Sequence, residues 1–235
     1  RRAIDRLRSA HHHREQYVGI WLPEPVLTDG PATPEQVNEI SSDLSIAFLT
    51  VLERLAPDAR AAFLLHEVFD ADYAEIAKTL GKSEAACRQI VHRAKQQLLE
   101  DRKRYVVPPD AHQRLLRRFA DALEKGDFAG LKSMLDDSAV LMGDGGGVVT
   151  SFPEPMVGGA RIAQLLYAPN LRPDNAIRVE LANINGEIGV LRYMHGELES
   201  AQSYVSDGER IVRIYVQRNP EKLRRIKAHQ ALSVQ

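Results

Sequence analysis

Residues 72–97 read DYAEIAKTLGKSEAACRQIVHRAKQQ, and the rest of the chain is arranged about this stretch. Tyr73, Ile76, Ala77 and Leu80 follow the i, i+3, i+4, i+7 spacing of a helix with one buried face. Gly81 supplies the permissive backbone that a tight break needs. Ser83 is placed to cap a second helix by accepting a hydrogen bond from a first-turn N–H. In that helix Cys87, Val91, Ala94 and Leu98 share one face, and Arg88, Gln89, His92 and Lys95 share the other. Two short helices joined at a glycine, the second polar and basic outside, form a helix-turn-helix pattern. The same spacing occurs in bundles that never touch nucleic acid, so the outer face carries the argument. Arg and Gln read base edges in the major groove, while Lys and Arg neutralise phosphates.

The chain has 235 residues, enough for one large or two small domains, and a formal net charge of −1. That balance argues against nucleic acid binding along the whole surface. Local runs differ: Arg88, Arg93, Lys95, Arg102, Lys103 and Arg104 form one basic run, and Arg1, Arg2, Arg6 and Arg8 another. The single cysteine, Cys87, excludes an internal disulfide, suits a reducing cytoplasm and is expected as a small buried apolar residue. No apolar stretch approaches the roughly 20 residues of a membrane span, and no signal peptide is visible, so no membrane partner is expected. His11, His12 and His13 are adjacent, point in different directions on a helix and make a poor metal site.

The outer face also carries a family likeness. SEAACRQIVHRAKQQL resembles the recognition helix of region 4 in extracytoplasmic-function (ECF) sigma factors, the helix that reads the promoter −35 element. AFLTVLERLAPDARAAFLLHEVFDADYAEIA resembles the same region, with its break at Leu52, Leu55 and Pro57 and its HEVF at His66 to Phe69. The resemblance implies DNA contacts from Ser83, Glu84, Arg88, Gln89, His92, Arg93 and Lys95. It also implies two partners, core RNA polymerase and −35 promoter DNA.

Upstream, YVGIWLPEP from Tyr17 to Pro25 holds two prolines and a glycine, which forbid a regular helix. Yet Tyr17, Trp21 and Leu22 are large and apolar, and Trp21 is the only tryptophan. Such a segment is expected to dock on something. RLRSA (Arg6 to Ala10) followed by this segment resembles the linker after region 2 in SigJ-type ECF factors, which carry a SnoaL-like domain after region 4. The resemblance implies a region 2 upstream of Arg1 of which residues 1–16 are the last helix. Residues 17–41 then form the linker, 42–107 region 4, and 108–235 the SnoaL-like domain. The boundary falls at VVPPD, where prolines break the helix.

Beyond it the period changes. Ala111 to Lys125 reads as a helix with Leu115, Leu116, Phe119 and Leu123 inward, and Phe128 to Leu135 as another. Strands are expected at Val140 to Met142, Val148 to Phe152, Ile177 to Ile184, Gly189 to His195, Ala201 to Ser206 and Arg210 to Gln217. Asn185-Gly186 and Asp207-Gly208 mark hairpins. Val212, Ile214 and Val216 alternate with Arg213 and Gln217, as on a half-exposed strand. Helices followed by an antiparallel meander define an α+β domain. The order resembles the SnoaL-like, NTF2-like cone. Asn219-Pro220-Glu221-Lys222-Leu223 resembles the closing NPxKL signature, and Asp144-Gly145-Gly146-Gly147 the DGGGK loop, with Val148 where lysine is usual. The resemblance places Tyr17, Trp21, Leu22, Pro23, Asp144, Gly145, Gly146, Gly147, Asn219, Pro220 and Lys222 in one regulatory contact between linker and cone.

Cone folds also house enzymes, which need an acid or base of tuned pKa facing a pocket. Asp144, His195, Tyr193 and Tyr215 are the candidates here, and none has a spacing that specifies catalysis. No catalytic residue, cofactor or metal is therefore expected, and a small ligand in the cone stays open. The reading is a sigma factor regulated in cis by its cone domain. An enzyme or small-molecule sensor targeted by the helical module is the alternative, and a two-domain repressor a third. An acid/base pair in the cone would favour the alternative; an accessible basic recognition face favours the sigma factor.

Overall fold

The structure is a computed structural model and describes residues 17–28, 45–102, 107–172 and 176–233. The helix expected over 1–16, with His11 to His13, and the 29–44 part of the linker lie outside the described residues. The chain divides into two compact units. One is built on Phe48–Arg104, the other on Val18–Ala47 together with Tyr105–Gln235.

The first unit is helical. Its elements are α1 (Ile46–Leu52, whose first two residues belong to the other unit), α2 (Pro57–Glu67), α3 (Tyr73–Leu80) and α4 (Glu84–Arg102). Pro57 opens α2, where its missing N–H costs nothing. Asp72 caps α3 through a 2.8 Å bond from the Glu75 N–H. Gly81 ends it in the left-handed region at φ 67°, a conformation that disfavours a side chain. Ser83 Oγ accepts from the Ala86 N–H at 3.2 Å and starts α4. Ala62, Ile76, Cys87 and Val91 form one buried cluster, with Cys87 fully buried as expected. Phe63, Val51, Leu55, Ala94 and Leu98 form a second. Arg60 is buried and serves the end of α1: Nε donates to the Leu52 carbonyl at 3.1 Å and Nη2 to the Glu53 carbonyl at 2.6 Å.

The second unit is α+β. Helices α5 (Pro109–Lys125), α6 (Phe128–Met134) and α7 (Gly159–Tyr167) line one face of a six-stranded sheet, and α8 (Pro220–Ser233) lies on the other. The strands are β1 (Leu135–Asp144), β2 (Met156–Val157), β3 (Ile177–Ile184), β4 (Glu187–Met194), β5 (Glu197–Ser206) and β6 (Ile211–Gln217), in the order β2-β1-β6-β5-β4-β3. The expectation of an antiparallel meander holds for β3 to β6, but β1 runs parallel to β6, so the sheet is mixed. Val148 to Phe152 is not a strand. Val149 N turns back to the Gly145 carbonyl at 3.0 Å, and the edge of β1 that such a strand would need is taken by β2. β6 is not half-exposed either. Ile214 and Val216 face the α5–α7 side, while Tyr215 packs with Leu22 on the other.

Parity along the sheet sorts its side chains. Leu141, Val190, Tyr204, Ile214 and Val216 face inward against Leu116, Phe119 and Ile162. Each such buried side chain contributes roughly 1.5–3 kcal/mol relative to exposure. At one end of the sheet Arg192 Nη2 lies 2.7 Å from Glu199 Oε2, and Arg218 Nε lies 2.6 Å from Glu199 Oε1 without hydrogen-bond alignment. A bulge between Arg192 and Tyr193 leaves Glu199 facing Arg192. Burial pushes the Glu199 carboxyl up, but the two guanidiniums outweigh it and hold its pKa below the usual range.

A folded pKa below the unfolded one gives stability that is present above about 4.3 and is lost as pH falls through the folded value. Urea melts of the β signal between pH 7 and 3 are expected to show that loss. Glu199→Gln removes it and, by leaving two partly buried arginines without their anion, lowers stability at pH 7 by about 3–5 kcal/mol. Equal stability of the variant at pH 7 would refute the assignment.

Candidate functional site

The first unit presents one polar face. Arg88, Gln89, His92, Arg93 and Gln96 are exposed and line a shallow, open groove along α4. Arg88 Nη2 sits 3.1 Å from Glu84 Oε2, and its guanidinium carbon is 5.3 Å from the centre of the Tyr73 ring. Of the sequence-derived set, Ser83 serves as the helix cap, Glu84 orients Arg88, and Lys95 lies 2.8 Å from Glu67 of α2, apart from the groove lining. Gln96 joins the groove although the sequence reading left it out. Its place one turn beyond His92 was the available signal.

The second unit holds a denser site, built by two ends of the chain on one carboxylate. Asp144 ends β1 and is 0% exposed. Its Oδ2 accepts from the Leu22 N–H at 2.9 Å, from Gln217 Nε2 at 3.1 Å and from Lys222 Nζ at 2.7 Å. Its Oδ1 accepts from the Gly146 N–H at 2.9 Å. Lys222 also donates to the Leu22 carbonyl at 2.7 Å and lies 4.2 Å from the centre of the Trp21 ring. Gln217 reaches the Pro23 carbonyl at 3.3 Å. Asn219 caps α8 by accepting from the Glu221 N–H, and Pro220 opens that helix.

The glycine loop is shaped by these neighbours. A side chain on Gly146 would meet the Asn219 amide at 2.3 Å, at a φ of +66° that already disfavours one. Gly145 passes so close to the Val149 carbonyl that a Cβ would stand 2.0 Å from it. Gly147 lies beneath Val18, and Val148 is exposed.

From this anchor the segment 18–28 runs as a strap over the sheet. Leu22 packs with Met142, Tyr215 and Ile46, and Leu27 with the cluster of Ile184, Leu191 and Leu223. At its far end the strap bonds to the β3–β4 hairpin: Thr28 N to the Asn183 carbonyl at 3.0 Å, and Asn185 N to the Val26 carbonyl at 2.8 Å. Trp21, Leu22, Pro23, Asp144, Gly146, Asn219 and Lys222 are thus brought together, with Trp21 part-buried. Tyr17 groups with the first unit.

The four residues weighed for acid–base chemistry do not converge. His195 is exposed in the β4–β5 turn at φ 52°, an outcome of the His195-Gly196 hairpin. Tyr193 bonds Glu180 at 3.2 Å, Tyr215 lies under the strap, and Asp144 is taken up by the anchor. Buried deeper, Tyr204 donates to Gln202, and burial pushes its phenol well above the usual range.

These features define a helix-turn-helix module followed by an α+β domain in which helices pack on a mixed six-stranded sheet. The family model for sigma-70 region 4 matches residues 45–98. The ECF RNA polymerase sigma factor SigJ of Mycobacterium tuberculosis is 36% identical over 224 residues, 92% of this chain and 70% of that protein. A probable ECF RNA polymerase sigma factor SigI of the same species is 28% identical over 97% of this chain and 77% of its own length. The crystal structure of the M. tuberculosis SigJ aligns with a TM-score of 0.69 at 30% identity, covering 94% of this chain and 78% of that one. The chain belongs to the ECF RNA polymerase sigma factors.

Removing one partner of a buried ion pair costs about 3–5 kcal/mol. Asp144→Ala is expected to lower the urea stability of the second unit by that order and to open 18–28 to limited proteolysis. Wild-type stability and an uncut strap in the variant would contradict this geometry.

Proposed function

We propose that this sigma factor directs core RNA polymerase to promoters in the cytoplasm, with α4 reading the −35 element and the cone domain acting on that activity in cis. The observation that carries the reading is the exposed groove of Arg88, Gln89, His92 and Arg93 on a helix fixed by caps at Asp72 and Ser83. Such a helix places Arg and Gln where bidentate contacts to guanine or adenine are made. Family membership supports the two partners, core polymerase and promoter DNA.

The cone has a regulatory rather than a catalytic part in this reading. Two of its carboxylates are engaged in structure: Asp144 in the anchor, Glu199 between two arginines. The strap and the glycine loop meet on Asp144, so docking of the strap and activity of the factor are coupled. The cation of this contact is Lys222, while Val148, which stands where lysine is usual, is exposed. A docked and a released strap that differ by a few kcal/mol give a usable equilibrium.

Binding to promoter duplexes by anisotropy, and transcription reconstituted with core polymerase, test both halves. Arg88→Ala or Gln89→Ala is expected to reduce discrimination between cognate and altered −35 sequences by about 1–3 kcal/mol. Arg93→Ala weakens all duplexes alike, as a phosphate contact does. Trp21→Ala and Gly146→Leu change transcription and leave −35 discrimination intact. Folded variants of α4 with unchanged binding refute the first half; unchanged transcription from both strap and loop variants refutes the second.

A further inference from the structure

One ion pair of the first unit sits where stability does not call for it. Glu67 is the last residue of α2, and a carboxylate at a helix C-terminus meets the negative end of the helix dipole. Its Oε2 nevertheless lies 2.8 Å from Lys95 Nζ on α4, and its Oε1 lies 2.7 Å from His66 Nδ1. The two side chains keep 27% and 42% of their surface exposed, a setting in which ion pairs contribute little to folding. Burial pushes the Glu67 carboxyl up, and Lys95 and His66 together pull it below its ordinary range, so it is a full anion at neutral pH.

The pair is one end of a connected chain. The His66 ring lies 4.5 Å from the Tyr73 ring, and the Tyr73 ring lies 5.3 Å from the Arg88 guanidinium, which pairs with Glu84. Lys95 and Arg88 stand seven residues apart on α4, about 10 Å along the axis at 1.5 Å per residue. Helices α2 and α3 therefore hold two basic residues of α4 in set positions. Arg93, on the same helix, has no ion pair among the described residues and remains available to phosphate.

We propose that Glu67 is a specificity-determining residue: its carboxylate takes the place of a DNA phosphate on Lys95 and so suppresses sequence-independent binding. This rests on the reading of α4 as the DNA-contacting helix. Non-specific affinity scales with the number of phosphates a protein neutralises, each displacing a counterion. A lysine already neutralised by an internal carboxylate contributes little to that count. Base contacts from Arg88 and Gln89 do not depend on it, so the ratio of specific to non-specific binding rises. Glu67 is a positioning residue and touches no base.

The test uses the whole chain and a fluorescein-labelled duplex of random sequence, followed by anisotropy from 50 to 300 mM salt. Glu67→Gln is expected to tighten binding by about threefold near 100 mM salt and to steepen the plot of log K against log salt by about 0.9, the signature of one more phosphate contact. In Glu67→Gln/Lys95→Ala both gains vanish. A variant slope equal to wild type overturns the proposal. So does a gain that persists in the double variant, since that would be the loss of a negative charge acting at a distance. Arg93→Ala separates this from the parent reading. If Arg93→Ala weakens binding while Glu67→Gln leaves it unaltered, only the Glu67 assignment falls. If neither variant alters binding, the DNA-contacting role of α4 falls with it.

Discussion

A single buried carboxylate, Asp144, joins three distant parts of this chain. Its two oxygens accept hydrogen bonds from the strap at Leu22, from the glycine loop at Gly146, from β6 at Gln217 and from α8 at Lys222. A carboxylate with no exposure is tolerable only when its lone pairs are satisfied and its charge is met. Lys222 meets the charge, and the remaining donors are the backbone N–H groups of Leu22 and Gly146 and the side-chain amide of Gln217, which also reaches the Leu22 and Pro23 carbonyls. The glycines follow from this constraint. With the loop turned onto Asp144, neither Gly145 nor Gly146 has room for a side chain. The composition of WLPEP follows too: a segment without regular hydrogen bonding needs its N–H and C=O groups answered from outside, and Asp144, Gln217 and Lys222 answer them.

The same economy appears in the helical unit, where charges are set by short contacts between helices. Arg60 satisfies carbonyls at the end of α1, Glu84 and Tyr73 hold Arg88, and Glu67 holds Lys95. The polar surface of α4 is thus a mixture of restrained and exposed groups. Fixed basic groups lose less conformational freedom on binding than free ones, and basic groups already neutralised add less to non-specific attraction.

Much of this was legible in the sequence, for identifiable reasons. The spacing of Tyr73, Ile76 and Leu80 around Gly81 specified two helices and a turn because both faces and both caps agreed. Ile177 to Ile184 was legible because its alternation and the Asn185-Gly186 turn agree, and Asn185 and Gly186 both take positive φ. Val148 to Phe152 misled because β-branched residues imitate a strand where no edge is free. The parallel pairing of β1 with β6 left no local trace, since the two strands are far apart in sequence. Helix α7 was missed although Ile162, Ala163 and Leu166 share a buried face, and α8 although Asn219-Pro220 is a start signal. At the site, motifs named the anchor residues, but the individual bonds of Lys222 and Gln217 depend on geometry that no spacing encodes. The restraint of Lys95 by Glu67 was invisible for the same reason.

The most direct test of the anchor uses the only tryptophan in the chain. With 5-fluorotryptophan incorporated, Trp21 gives one ¹⁹F resonance that reports the strap alone. The account predicts a shifted, slowly exchanging signal in the wild type, and a signal near that of the unfolded chain in Asp144→Asn with the sheet still folded. An identical resonance in the two proteins would mean that the strap is held by something other than Asp144.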